Sequence, residues 1–196
     1  MKIGIYGGSF NPPHIMHKSI VEELIKKEYV DKIIIVPTGV KYHYKNNLLG
    51  NEIRYKLLEQ MTKDKQNIKI STYEFQEKEV FTYETMAYYK DKYPNDELFF
   101  ICGSDNLTDL KKWEQWEKVL ECCKILVIPR NGQDVKEIKK EYAAYNDRII
   151  IAEVKTSNIS STIVRKAIKE KDMTLLEKYV DKDVLDYIVK NHLYQN

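Results

Sequence analysis

At 196 residues the chain has the length of one ordinary domain, or of one domain with a small helical appendage. Hydrophobic residues make up 43% and charged residues 32%, enough for a sizeable core, so disorder is excluded. Lys plus Arg number 32 against 30 Asp plus Glu, a balance without the basic excess of a nucleic-acid-binding surface. The three cysteines, Cys102, Cys122 and Cys123, are an odd count without a C-x-x-C pair. This predicts reduced thiols and a cytoplasmic protein. The opening Met1-Lys2-Ile3-Gly4-Ile5 is too short and too soon interrupted for a signal peptide. No run has the length of a membrane span.

Short apolar runs alternate with amphipathic ones. Strands are predicted at 2–6, 32–36, 68–71, 98–102, 125–128 and 148–152. Ile33-Ile34-Ile35-Val36 is apolar on both faces, as a strand covered by helices on each side must be. Helices are predicted between them at 14–28, 52–63, 83–93, 114–122 and 135–142. This alternation implies an α/β fold with a doubly wound, Rossmann-like parallel sheet. After Val154 the pattern turns helical, at 160–169, 173–180 and 183–191, so a small C-terminal helical unit over 155–196 should complete a single domain built on a 1–154 core. Ligands of such sheets bind beyond the carboxyl ends of the strands, at the switch point.

The first strand ends in Gly7-Gly8-Ser9-Phe10-Asn11-Pro12-Pro13-His14-Ile15-Met16-His17. The glycines let backbone approach a ligand, and the prolines fix φ ahead of a helix whose N-terminus suits phosphate. His14 and His17 share one helical face, which Ile20, Val21, Leu24 and Ile25 continue. His17 thus reads either as a histidine at the core's edge or as a phosphate ligand, and the combined motif favours the ligand. A metal pair is disfavoured, because there is no H-E-x-x-H and no third ligand nearby.

The fourth strand ends in Cys102-Gly103-Ser104-Asp105-Asn106. Gly103 allows close approach; Asp105 suits sugar hydroxyls, or Ser104 or Asp105 caps a helix. Trp113 lies in a polar stretch that gives it little reason to be core and suits it to stack on a heteroaromatic ring. Ser157-Asn158-Ile159-Ser160-Ser161-Thr162-Ile163-Val164-Arg165 opens a helix as a cap or as an anion cradle, with Arg165 one turn in.

The first of these segments resembles the signature of the HxGH nucleotidylyltransferase superfamily, with Met16 at its glycine position. The third resembles that superfamily's triphosphate motif I-S-S-T-x-I-R, with Val164 at its second Ile. Within it, the chain is most similar to bacterial nicotinate-nucleotide adenylyltransferases. Phe81-Thr82-Tyr83-Glu84-Thr85 matches their Y-T-x-D-T, Asp105 followed by Trp113 matches G-x-D…W, and Val184 to Tyr194 resembles their tail. Lys41-Tyr42-His43-Tyr44-Lys45 stands where those enzymes carry a P-P-H-K-like loop.

The resemblance implies AMP transfer from ATP to nicotinate mononucleotide, giving deamido-NAD and pyrophosphate. Its alternatives are phosphopantetheine adenylyltransferase or another acceptor, and a non-catalytic nucleotide sensor. It implies that His14, His17 and Arg165 are catalytic. Gly7, Gly8, Ser9, Phe10, Gly103, Asp105, Ser160, Ser161 and Thr162 should join them in binding ATP. Lys45, Thr82, Thr85 and Trp113 should bind the acceptor. Mg²⁺ should arrive with ATP, without a metal cage of protein residues. The oligomeric state is left open, a homo-oligomer included.

Overall fold

The computed structural model describes residues 1–41, 48–130 and 134–195. Six parallel strands form one sheet: β1 (Lys2–Gly8), β2 (Lys32–Pro37), β3 (Ile68–Ile70), β4 (Glu97–Gly103), β5 (Lys124–Ile128) and β6 (Ile149–Ile151). Their order is β3-β2-β1-β4-β5-β6. The chain winds outward from β1 to β3, then returns to lay β4 against the other side of β1. The switch point therefore lies between β1 and β4.

Alternation along each strand divides the core between two faces. Ile33 and Ile35 of β2, Phe99 and Ile101 of β4, and Leu126 and Ile128 of β5 face one side. There they meet helices α1 (Ile15–Lys26) and α2 (Asn51–Thr62) through Leu24, Leu57 and Leu58. Ile34, Val36, Phe100 and Val127 face the other side. They are covered by α3 (Thr82–Lys92), α4 (Ser104–Asp109) and α5 (Trp116–Cys122) through Met86, Leu107 and Leu120. Helix α6 (Val135–Lys140) adds Val135 to this second layer.

The C-terminal helices are α7 (Ser161–Glu170), α8 (Met173–Tyr179) and α9 (Lys182–Lys190). Val164, Ala167, Leu176, Leu185 and Ile188 join the first face, so this unit buries its apolar stripe in the same core as α1 and α2. Lys18 of α1 pairs with Asp181, the N-cap of α9. Each predicted strand and helix is present within a few residues. The chain adds α4, which follows β4 directly. Its N-cap is Gly103, not Ser104 or Asp105.

Candidate active site

The carboxyl ends of β1 and β4 open into a cavity of about 780 Å³. Gly7, Gly8, Ser9, Phe10, His14 and His17 line it from the first turn and α1. Gly103 and Asp105 line it from the end of β4, and Ser160, Ser161, Thr162 and Arg165 from the start of α7. Three segments far apart in sequence thus converge on one space.

Phe10 shapes the first turn. Its ring is buried and stands edge-on to Tyr6 and His17, with centroids 5.5 and 5.0 Å away. A Cβ on Gly8 would lie 3.0 Å from that ring, tighter than side chains ordinarily pack, so any larger residue there would press the Phe10 ring back. Phe10 itself takes a positive φ of 46°. Such a conformation is costly for a non-glycine residue and persists only where surrounding contacts over-determine it.

His14 is the N-cap of α1, and its N–H donates to Nδ1 of His17 at 3.1 Å. The two rings stack with centroids 3.7 Å apart. His14 is 6% exposed, and its Nδ1 is buried with no hydrogen-bond partner among the described residues. Burial, with Arg130 nearby, lowers its pKa to about 4. Burial, then the neighbouring His14 and Arg130, holds His17 well below the ordinary imidazole value. Both rings are therefore neutral at pH 7. His17 is half-buried and touches Phe10 and Tyr6, so it is at once the edge of the core and a wall of the cavity.

Helix α7 is tied to the first turn. Ser160 caps it, accepting from the Ile163 N–H. Ser161 Oγ donates to the Pro12 carbonyl at 2.8 Å. Arg165 Nη1 donates to the Asn11 carbonyl at 2.7 Å, and its Nη2 to Thr162 Oγ1 at 3.2 Å. Asn11 Oδ1 in turn accepts from Tyr194 Oη at 2.9 Å, so the C-terminal tail also closes onto this turn.

Sequence reasoning missed Arg130, at the carboxyl end of the neighbouring strand β5. It lines the cavity, and its Nε lies 3.2 Å from Asp105 Oδ1. The backbone N–H of Arg130 donates to Ser104 Oγ. A Cβ on Gly103 would fall 2.3 Å from Asp105 Oδ1 and 2.8 Å from Arg130 Nε, so glycine leaves room for this pair. The signal was a cation just past an apolar strand, in Ile128-Pro129-Arg130.

The acceptor-side candidates stand apart. Thr82, Thr85 and Trp113 are not among the cavity's lining residues. Thr85 is buried, with Oγ1 2.8 Å from Glu74 Oε1, and half-buried Thr82 opens α3. Trp113 corrects the expectation that its polar stretch keeps it off the core. It is half-buried against the second core face, edge-on to Phe100 with centroids 5.8 Å apart. Its large apolar ring finds cover that its charged neighbours in sequence do not supply. Gly7 adjoins the same Phe100 ring, 3.4 Å from where its Cβ would be. Lys45, with Tyr42, His43 and Tyr44, lies outside the described residues. Among the described residues, no three His, Cys, Asp or Glu side chains cluster as a metal site.

Neutral imidazoles, a helix N-terminus with hydroxyls, and two arginines at a switch point define a phosphate-binding α/β protein of the mononucleotide type. The cytidylyltransferase-like family model matches residues 5–167. A Fusobacterium nucleatum protein named probable nicotinate-nucleotide adenylyltransferase is 38% identical over 195 residues, 98% of this chain and 100% of the relative. A Clostridium acetobutylicum protein of the same name is 34% identical over 199 residues, 98% of each chain. The chain belongs to the cytidylyltransferase-like family and, within it, to the nicotinate-nucleotide adenylyltransferases. The fold matches a solved structure of Plasmodium falciparum nicotinic acid mononucleotide adenylyltransferase complexed with NaAD. That match has a TM-score of 0.84, covers 98% of this chain and 97% of the other, and carries 23% identity.

Proposed function

We propose that the chain transfers AMP from ATP to nicotinate mononucleotide, giving deamido-NAD and pyrophosphate. The observation that carries this reading is the convergence of the three motif segments, 7–17, 103–106 and 156–165, on one cavity at the switch point. Family membership supports the acceptor.

The attacking group is the acceptor's phosphate, whose second pKa of about 6 leaves it ionised at pH 7. The chain therefore need not supply a general base. Its task is to align the phosphates and to neutralise the charge that builds on the α-phosphate and the departing pyrophosphate. His17 meets the α-phosphate and His14 the oxygens beside it. Arg165, with the Ser160, Ser161 and Thr162 end of α7, holds the β- and γ-phosphates. Gly7, Gly8, Ser9 and Phe10 line the nucleotide, and Gly103 and Asp105 take the ribose side. Thr82, Thr85, Trp113 and Lys45 serve the acceptor, Trp113 by its ring and Lys45 by its charge.

Magnesium would enter on the ATP phosphates, where its charge offsets theirs. The chain's own residues then hold the rest of the phosphate charge. We place the enzyme in the cytoplasm, a reading that the free thiols of Cys102, Cys122 and Cys123 support. Among the described residues, no helix is long and apolar enough to cross a membrane. We read the whole chain as one catalytic unit, since its C-terminal helices share the core of the sheet.

The test is pyrophosphate release from ATP with nicotinate mononucleotide, its amide counterpart or phosphopantetheine. The acid should turn over fastest. A site that meets a carboxylate with donors leaves the amide's NH₂ unmatched, at about 1–3 kcal/mol. Faster turnover with the amide or the pantetheine would overturn the acceptor. No turnover with any would overturn the activity.

A further inference from the structure

Arg54 is among the largest fully buried side chains of the described residues, 0% exposed, although it stands in the helix next to the cavity rather than in its wall. All three nitrogens of its guanidinium are engaged. Nε donates to the Leu49 carbonyl at 2.9 Å, Nη1 to the Ser9 carbonyl at 3.0 Å and Nη2 to Asn51 Oδ1 at 2.7 Å. None of these acceptors is a carboxylate. Burying a cation on neutral acceptors is costly, and apolar residues commonly fill such a volume with greater stability. The Glu74 carboxylate favours the charged form and the Phe75 ring stands 5.8 Å from Cζ, yet neither receives a hydrogen bond from the guanidinium in the contacts above, which are spent on backbone and amide oxygens.

The Ser9 contact gives this charge a use. In a trans peptide the carbonyl and the next N–H point in opposite directions. Arg54 grips the Ser9 carbonyl, which sends the Phe10 N–H away from the guanidinium. Ser9 and Phe10 both line the cavity. Phe10 is also the residue whose positive φ needs outside support. A cation on the Ser9 carbonyl polarises that peptide and strengthens its N–H as a donor. Leu49 and Asn51 brace the guanidinium from the start of α2, and the Leu49 N–H reaches Asn11 Oδ1 at 3.2 Å. The cation therefore fixes both ends of the turn that runs from Ser9 to Asn11.

We infer that Arg54 is a positioning residue for the ATP phosphates: it holds the Ser9 carbonyl so that the Phe10 peptide presents its N–H to phosphate. It touches no substrate itself. The inference rests on the phosphate site proposed above and adds a residue that acts through the backbone. A packing residue would affect every ligand of the cavity alike. A residue that aims one N–H at phosphate affects phosphate-bearing ligands alone.

The experiment compares binding of a non-hydrolysable ATP analogue and of adenosine, by calorimetry, to the full chain and to Arg54→Met, Arg54→Lys and Asn51→Ala. Asn51→Ala removes one brace of the guanidinium and keeps the cation, so it covers the case in which an Arg54 variant fails to fold. Leu57→Ala, a core change in the same helix, is the control for general loosening. The analogue should bind about tenfold more weakly to Arg54→Met, Arg54→Lys and Asn51→Ala, with adenosine within about twofold of the parent. Leu57→Ala should move both ligands together. Equal weakening of both ligands in the folded Arg54 variants, or in Asn51→Ala if those do not fold, would overturn the inference and leave Arg54 a packing residue. Unchanged analogue binding would overturn it as well. Parent protein that binds no analogue would overturn the ATP reading itself, and this inference with it, which separates the two failures.

Discussion

The His14 backbone N–H donates to Nδ1 of His17 at 3.1 Å, and this one bond decides which nitrogen of His17 faces the cavity as a donor. A neutral imidazole has one donor and one acceptor nitrogen. With Nδ1 accepting, the proton sits on Nε2. Burial keeps the ring neutral, so in the proposed role it would offer phosphate a fixed dipole without carrying a charge.

His17→Ala should therefore cost roughly 10²–10³ in kcat, the usual effect of losing one transition-state donor, with KM for either substrate little changed. The tautomer adds a finer expectation. A glutamine amide reaches the position of Nε2, whereas an asparagine amide reaches only that of Nδ1. His17→Gln should retain more activity than His17→Asn in steady-state pyrophosphate release. The reverse order would mean that Nδ1, not Nε2, meets the phosphate.

His14 makes stability depend on pH. Its folded pKa of about 4 lies below the unfolded value near 6.5, because burial disfavours the charged ring. Between those values the unfolded chain binds more protons than the folded one, so stability falls as pH falls. At pH 5 the loss from this group is about 2 kcal/mol relative to pH 7.5, taking 1.36 kcal/mol per unit. Urea unfolding of the parent and of His14→Gln at the two pH values should show the parent losing about that much more. Parallel losses in the two proteins would contradict the buried, neutral ring.

Local patterns carried most of this architecture. Ile33 to Val36 announce a strand buried on both faces, and Gly-Gly before Pro-Pro-His announces the turn that lines the cavity. Helix α4 escaped because its six residues hold one apolar anchor, Leu107, and so lack a helical stripe. Arg130 and Arg54 escaped for a different reason. Spacing predicted the helix around Arg54 but treats any arginine as a solvated residue. Its partner Ser9, 45 residues away, is chosen by tertiary contact. The partial burial of Trp113 escaped in the same way, since the Phe100 ring that covers it lies back in β4, outside the polar stretch around Trp113.

Arg165 and Trp113 should separate the two substrates. Arg165 is held at the mouth of α7 by the Asn11 carbonyl and Thr162, ready to pair with phosphate oxygens. Arg165→Ala should raise KM for ATP by about 10–100-fold, the worth of a charged hydrogen bond or two, and the acceptor's KM by no more than about threefold. Trp113→Ala should do the reverse, with Trp113→Phe keeping much of the acceptor's affinity through its remaining ring. Initial-rate measurements with each substrate varied in turn would decide. The same shift in both constants for both variants would mean that one of the two sites is misplaced.

Gly103 tests the Arg130–Asp105 pair without disturbing the fold. Its backbone sits at φ −74° and ψ 161°, which any residue adopts, so replacing it stores no strain. The nearest atoms to an added Cβ belong to two half-exposed or exposed side chains, Asp105 and Arg130. Such an exposed ion pair contributes at most about 1 kcal/mol, so Gly103→Ala should unfold within about that much of the parent. Its effect on ATP should be larger. Displacing Asp105 removes an acceptor for the ribose, and displacing Arg130 moves a cation off the cavity wall, so KM for ATP should rise about tenfold. Thermal melting and ATP titration on the same preparation check both halves. A variant with normal ATP affinity would show that neither side chain contacts the nucleotide. One that unfolds several kcal/mol more easily would show that the end of β4 depends on this pair for its structure.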